Sequence, residues 1–242
     1  MQGILFGLIL VLAAPPAWAQ TRPENMTNCQ SNDLDVRIKG CTALIQSGRE
    51  TAENLAVAHM SRGAAYNAKK LCDEAMADEN KAIALNRNLA GAYHNRGIAA
   101  GCKGNLDLAI ADYTKALALE PNNAFVYFSR GLDYFQQKLY DKAIADLTKG
   151  IALKQDYAEG YFNRALAYGD KGLADKAIAD ATKAIALKPD YVVAYLFRAD
   201  QEEDKSLKDQ AVADYRMALK LDPNGKGGQI AQEALKRLDV AP

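Results

Sequence analysis

Apolar side chains recur along this chain three and four residues apart, the spacing that places them on one face of an α-helix. In "YFNRALAY", Tyr161, Ala165 and Tyr168 mark such a face. Related segments, "AHMSRGAAY", "AYHNRGIAA", "VYFSRGLDY" and "AYLFRADQE", stand at steps of 34 residues on either side of it. A turn follows ("CKGNL", "DKGLA"), then a second periodic run such as "DEAMADENKAIAL" or "DKAIADATKAIAL". Alanines hold fixed places in that second run: Ala75, Ala109, Ala143, Ala177 and Ala211, then Ala82, Ala116, Gly150, Ala184 and Ala218. Pro121, Pro189 and Pro223 close three of the units, because proline cannot continue a helix, and Arg87 and Gln155 take that place in the others. No strand-like alternation competes. The pattern predicts five helical hairpins, over 56–89, 90–123, 124–157, 158–191 and 192–225.

An arginine stands on the apolar side of each first helix: Arg62, Arg96, Arg130, Arg164 and Arg198. Sixteen residues after each comes an aspartate, Asp78, Asp112, Asp146, Asp180 and Asp214. Within a hairpin the two positions lie at similar height, so each arginine is expected to clasp the aspartate of its own unit, bidentately where geometry allows. The competing use of such a ladder, binding an anionic chain, is disfavoured because an arginine matched by a carboxylate has little left for phosphate.

The unit resembles the tetratricopeptide repeat. That family's pattern of an aromatic, a small residue, a tyrosine, two alanines and a terminal proline is met almost in full by 124–157 and 158–191, though the family prefers leucine where these arginines stand. His59 in place of the first aromatic, Glu79 in place of an apolar residue and Glu202 in place of the tyrosine depart from it near the ends of the array. The resemblance implies an all-α, right-handed α-solenoid of helix-turn-helix repeats. Its first helices would line a concave groove that receives a peptide or helix of another protein. In this register the groove residues are Met60, Ile98, Phe125, Phe128, Leu132, Phe135, Phe162 and Leu166, with an acidic end at Asp170, Asp200 and Glu203. The lysine and asparagine set by which some family members grip a terminal carboxylate is missing, since His94, Phe128 and Phe162 hold the fifth positions and Ile98, Leu132 and Leu166 the ninth. The alternative for the phenylalanines is a place in the core between helices.

Both ends of the array call for caps. Leu34, Ile38, Cys41 and Ile45 share a helical face before the first unit, within the segment 20–55, and Ile230, Leu235 and Leu238 form a closing helix within 226–242. "PNGKGGQ", 223–229, reads as a loop between helices. Residues 1–19 read as a secretory signal: an uncharged apolar run from Ile4 to Ala14, a proline pair, then Ala17-Trp18-Ala19, with cleavage after Ala19 and Gln20 as the mature start. The run is shorter than the about 20 residues of a spanning helix, so stable membrane insertion is not expected after cleavage.

Export permits disulfides, and the four cysteines allow three pairings. The helix from about Asp33 to Cys41 rises only about 12 Å, and four extended residues from Cys29 can double back by about 14 Å. Cys29–Cys41 is therefore the preferred pair, which leaves Cys72 with Cys102; a buried free thiol is the alternative for each.

Charge and chemistry narrow the function by exclusion. Thirty basic and thirty acidic side chains give no general field for nucleic acid or anionic lipid. His59 and His94 lack metal-type spacing, and there is no HExxH, CxxC, GxSxG or P-loop motif. No catalytic, metal or cofactor residues are assigned. The sequence reads as a non-enzymatic, periplasmic or secreted interaction scaffold with a protein or peptide partner. Two alternatives are a glycan-binding or accessory module of an envelope enzyme or polysaccharide system, and a homo-oligomer that stacks its own solenoid ends.

Overall fold

The computed structural model describes residues 22–240; the signal segment read at 1–19 lies outside them. Helices are the only regular elements among the described residues: α1 (Arg22–Cys29), α2 (Leu34–Gln46), α3 (Ala52–Ala68), α4 (Cys72–Leu85), α5 (Ala90–Cys102), α6 (Leu106–Leu119), α7 (Ala124–Gln136), α8 (Tyr140–Leu153), α9 (Ala158–Asp170), α10 (Ala174–Leu187), α11 (Val192–Asp204), α12 (Lys208–Leu221) and α13 (Lys226–Arg237). Each helix packs on the next, and first helices also touch across units, α3 on α5, α5 on α7 and α7 on α9. The chain is an all-α solenoid of helical repeats.

Local chemistry sets where the helices begin and end. Asp33 caps α2 by accepting from the amides of Asp35 and Val36, Thr51 caps α3, and Asn105 caps α6. The other second helices start at Leu71, Leu139, Leu173 and Leu207 with no side-chain cap. An aspartate in the first turn, Asp73, Asp141, Asp175 or Asp209, meets the positive end of the helix dipole instead. One turn recurs in every unit: Lys70, Gly104, Lys138, Gly172 and Ser206 take left-handed backbone angles, with φ from 59° to 77°. In all five units the next amide reaches back five residues, Leu71 to Tyr66, Asn105 to Ala100, Leu139 to Tyr134, Leu173 to Tyr168 and Leu207 to Glu202, closing the helix C-terminus.

Small residues let the hairpins close. The first alanine column is wholly buried, and the second is buried throughout. Gly63, Gly97 and Gly131 on the first helices face Glu79, Tyr113 and Leu147, and a Cβ there would lie within 3 Å of those side chains. Where the opposing residue shrinks to Ala181, the glycine is replaced by Ala165. In the first four units size is thus matched pairwise across the interface, whereas the fifth packs Tyr215 on a unit that carries Ala199 at the glycine position.

The ends differ in detail from the sequence reading. Helix α1 was not expected, and it carries Cys29 to Cys41 on α2, with a Cα–Cα distance of 4.5 Å in the disulfide. Cys72 and Cys102 form the second disulfide, which ties α4 to α5. Helix α13 begins at Lys226, inside the stretch read as a loop; Leu235 is fully buried while Ile230 is 44% exposed.

Candidate functional site

Each of the five arginines donates two hydrogen bonds to its aspartate, and Arg164 meets Asp180 at 2.7 and 2.9 Å. The aspartates are buried, the arginines half-buried. Hydrogen bonding to the carboxylate raises the pKa of Arg164 further. The remaining guanidinium nitrogen reaches the preceding hairpin: Arg62 to Thr42, Arg96 to Asn80, Arg130 to Thr114, Arg164 to Thr148 and Arg198 to Thr182. Arginine planes also lie over Tyr93, Tyr127, Tyr161 and Tyr195 at 5.7 to 5.9 Å. These side chains link each unit to the one before it. The link to the preceding unit was missed, although Asn80, Thr114, Thr148 and Thr182 form their own 34-residue column in the sequence. A further inter-unit series runs along the surface, Lys69–Asp35, Lys103–Asp73, Lys171–Asp141 and Lys205–Asp175, with Gln137–Asp107 in the remaining place.

The groove candidates divide by exposure. Phe125 is 49% exposed and Ile98 36%. Met60, Leu132, Phe135, Phe162 and Leu166 are half-buried. The Phe162 ring meets Tyr191 at 5.1 Å and Phe197 at 5.8 Å. Phe128 is 4% exposed and packs into the core against Tyr157, Leu147 and Ile151. It occupies space left by Gly150 and Gly160, where a Cβ would fall 2.5 and 2.7 Å from its ring. It offers no surface to a ligand. The signal was present in the sequence, since Gly150 is the one glycine in an alanine column. Phe125 also borders an open cleft of about 880 Å³ between the inter-unit loops, lined by Glu120, Asn122, Leu153, Lys154 and Asp156.

Polar groups sit beneath and beside this strip. Nε2 of His94 lies 3.1 Å from Oγ of Ser129, and burial pushes the imidazole down to about 4, so it is neutral at pH 7. Nδ1 of His59 lies 2.8 Å from Asp78. At the far end the Tyr215 hydroxyl donates to Asp200 at 2.5 Å, and Arg237 donates to Glu203 at 2.7 Å; Asp170 is exposed. Among the described residues no group of three His, Cys, Asp or Glu is placed to hold a metal ion. No helix among them is long and apolar enough to cross a membrane.

Comparisons with known proteins agree with this architecture. Models of the tetratricopeptide repeat match residues 90–123 and 158–191, and a further model described as a TPR repeat matches 131–172. No curated protein sequence matches the chain. Among solved structures, MamA is similar at 28% identity over 66% of this chain and 94% of its own, with a TM-score of 0.62. YrrB, described as a TPR protein with an unusual peptide-binding site, is 19% identical over 81% of this chain and 97% of its own, with a TM-score of 0.64. The pilF product of Pseudomonas aeruginosa is 19% identical over 78% and 94%, with a TM-score of 0.64. With the hairpin repeat in both the sequence and the structure, the chain belongs to the tetratricopeptide repeat proteins.

Proposed function

We propose that this protein is a non-enzymatic interaction scaffold of the cell envelope whose first-helix groove receives a segment of a protein partner. One observation carries the reading: Ile98 and Phe125 stand exposed beside the half-buried Leu132, Phe135, Phe162 and Leu166, an apolar strip that runs along the first helices of three successive units. Asp170 and Asp200 keep the carboxy-terminal end acidic, while Glu203 is matched by Arg237. The strip therefore suits an amphipathic or extended segment with hydrophobic anchors and basic residues, and carboxylate capture is disfavoured. Two cysteine pairs at disulfide distance support an oxidising compartment, in keeping with the apolar leader and the small residues at Ala17 and Ala19.

The test compares two variants. Ile98→Ser with Phe125→Ser removes the two most exposed side chains of the strip together with the edge contacts of Phe125 to Phe128 and Tyr157, so the variant is expected to stay folded and to lose only about 1 kcal/mol, while a partner cross-linked to the exported parent protein is lost. Phe128→Ser empties a core site and is expected to destabilise by about 3 kcal/mol. A surface variant that keeps the partner refutes the groove reading.

A further inference from the structure

Three buried acids carry side-chain oxygens without a hydrogen-bond partner, Glu79, Asp133 and Glu202, and they are not equivalent. Burial raises Glu79 to about 9, so it keeps its proton at pH 7. Glu202 lies 3.9 Å from Arg198. Asp133 is 6% exposed, and its side chain forms neither a hydrogen bond nor an ion pair among the described residues. Burial lifts it only to about 6, which leaves it ionised and unpaired in neutral solution. A buried charge without a counter-charge is costly, and native structures retain one for a reason.

Its place in the fold gives the reason. The corresponding residues of the first, second and fourth units are Ala65, Ala99 and Ala167, all fully buried, so packing alone is satisfied there by a methyl group. Asp133 points from α7 toward α5, at Gly101, where a Cβ would sit 3.4 Å from Oδ2 and 3.7 Å from Oδ1. The fifth unit repeats the arrangement with Gln201, whose Oε1 lies 3.3 Å from the equivalent point over Gly169. A neutral amide thus fills the same space, and the charge of Asp133 is not needed to fill it. The cations nearby in sequence and packing are already committed: Arg96 to Asp112, Arg130 to Asp146 and Lys103 to Asp73. The titratable groups on the adjoining helices, neutral His94 on α5 and Tyr113 on α6, supply no positive charge; burial and then the charge of Asp133 push the Tyr113 phenol up. Oδ2 is sealed from solvent, but half-buried Gly101 places no side chain beside the carboxylate, so a cation that lodges over Gly101 displaces no side chain of that residue. Exposed Ile98 and half-buried Leu132 and Phe135, on the same two helices, are groove residues.

We propose that Asp133 is the specificity-determining residue of the groove, accepting a lysine or arginine side chain of the bound segment in the niche over Gly101. The inference rests on the groove reading above and goes beyond it by naming which partner residue is selected and where. A charge-assisted hydrogen bond in a water-poor niche is selective because only a cationic side chain restores what burial removed.

The probe is a panel of fluorescent synthetic peptides with leucine and phenylalanine anchors, each carrying one lysine at a varied position, matched to peptides with norleucine in its place. Norleucine keeps the aliphatic stem and lacks the ammonium. The parent protein is expected to prefer lysine at one position by about tenfold. Asp133→Asn is expected to abolish the preference while keeping the affinity for the norleucine peptide and the melting temperature. Should Asp133→Asn lower the melting temperature, Gly101→Leu, which covers the carboxylate without altering it, must remove the preference in its place. Equal binding of lysine and norleucine peptides by the parent, or an unchanged preference in the variants, overturns this inference and leaves the groove reading standing. Failure of every peptide to bind overturns both.

Discussion

In the third unit Leu147 lies against Gly131 and is fully buried; in the first, Glu79 takes the same place against Gly63 and is buried as completely. Above both sits the same clasp, Arg130 with Asp146 and Arg62 with Asp78, at 2.7 to 2.9 Å. The backbone therefore accepts an ionisable side chain where leucine packs, without changing the hairpin. Adjacent residues of α4 show two ways of doing so. Asp78 stays charged because Arg62 and His59 surround it, and the arginine bond helps hold its pKa down against burial. Glu79 has no such cation. Burial pushes its carboxyl up to about 9, offset only in part by the nearby Asn95 amide and Arg96, and it escapes the cost of buried charge by keeping its proton.

The largest effect that bears on this contrast is loss of a clasp. Arg130→Leu strands Asp146 and is expected to cost about 3 kcal/mol, most of which returns when Asp146→Leu is added, because two apolar side chains replace two desolvated charges. Arg62→Leu is expected to cost less, since Asp78 keeps His59 as a partner at 2.8 Å. Urea melts of the singles and doubles decide the matter; equal losses in the two units would erase the distinction.

A smaller effect follows from the proton on Glu79. The native state holds it up to about pH 9, whereas an unfolded glutamate releases it near pH 4.5, so stability falls as pH rises between those values. His94, held down to about 4, acts in the opposite direction, but only below the ordinary imidazole range. Between pH 7 and 8.5 the slope is expected to approach about 1 kcal/mol per pH unit. It should disappear in Glu79→Gln and in Glu79→Leu, the latter making the first unit resemble the third. A flat profile in the parent protein would show that the carboxyl has found a cation or water.

The smallest effect is a control. Lys70 in the first unit and Lys138 in the third hold φ of 59° and 60°, angles that glycine adopts without steric cost. Lys70→Gly and Lys138→Gly are each expected to change stability by at most about 1 kcal/mol, and by the same amount. Unequal shifts would mean that the two hairpins differ in backbone as well as in packing.

Period and spacing made much of this molecule legible. The 34-residue step, the alanine columns and the sixteen-residue offset from arginine to aspartate are local or nearly local quantities, and a hairpin turns sequence distance into contact directly. The cysteine pairing within α1 and α2 followed from reach for the same reason. Helix α1 was not visible because "RPENMTNC" is mostly polar and offers only Met26 and Cys29 to the core; it is held by its packing on α2. Phe128 was placed in the groove by its position in the register, while Gly150 and Gly160, one on the next helix and one in the next unit, open the space that draws it into the core.

Glu79 shows where the division falls. Sequence alone identified it as an acid in an apolar column, and likewise determined the helices of the five hairpins, their pairing, the clasps and the repeat, since each depends on separations that a helical hairpin converts to fixed distances. Which of the acids outside the clasps are protonated or left ionised was decided only by the tertiary structure. The charge state of a buried carboxyl depends on every cation and dipole within a few ångströms, and at Asp133 the neighbours that matter, Gly101 and Tyr113, belong to a different unit.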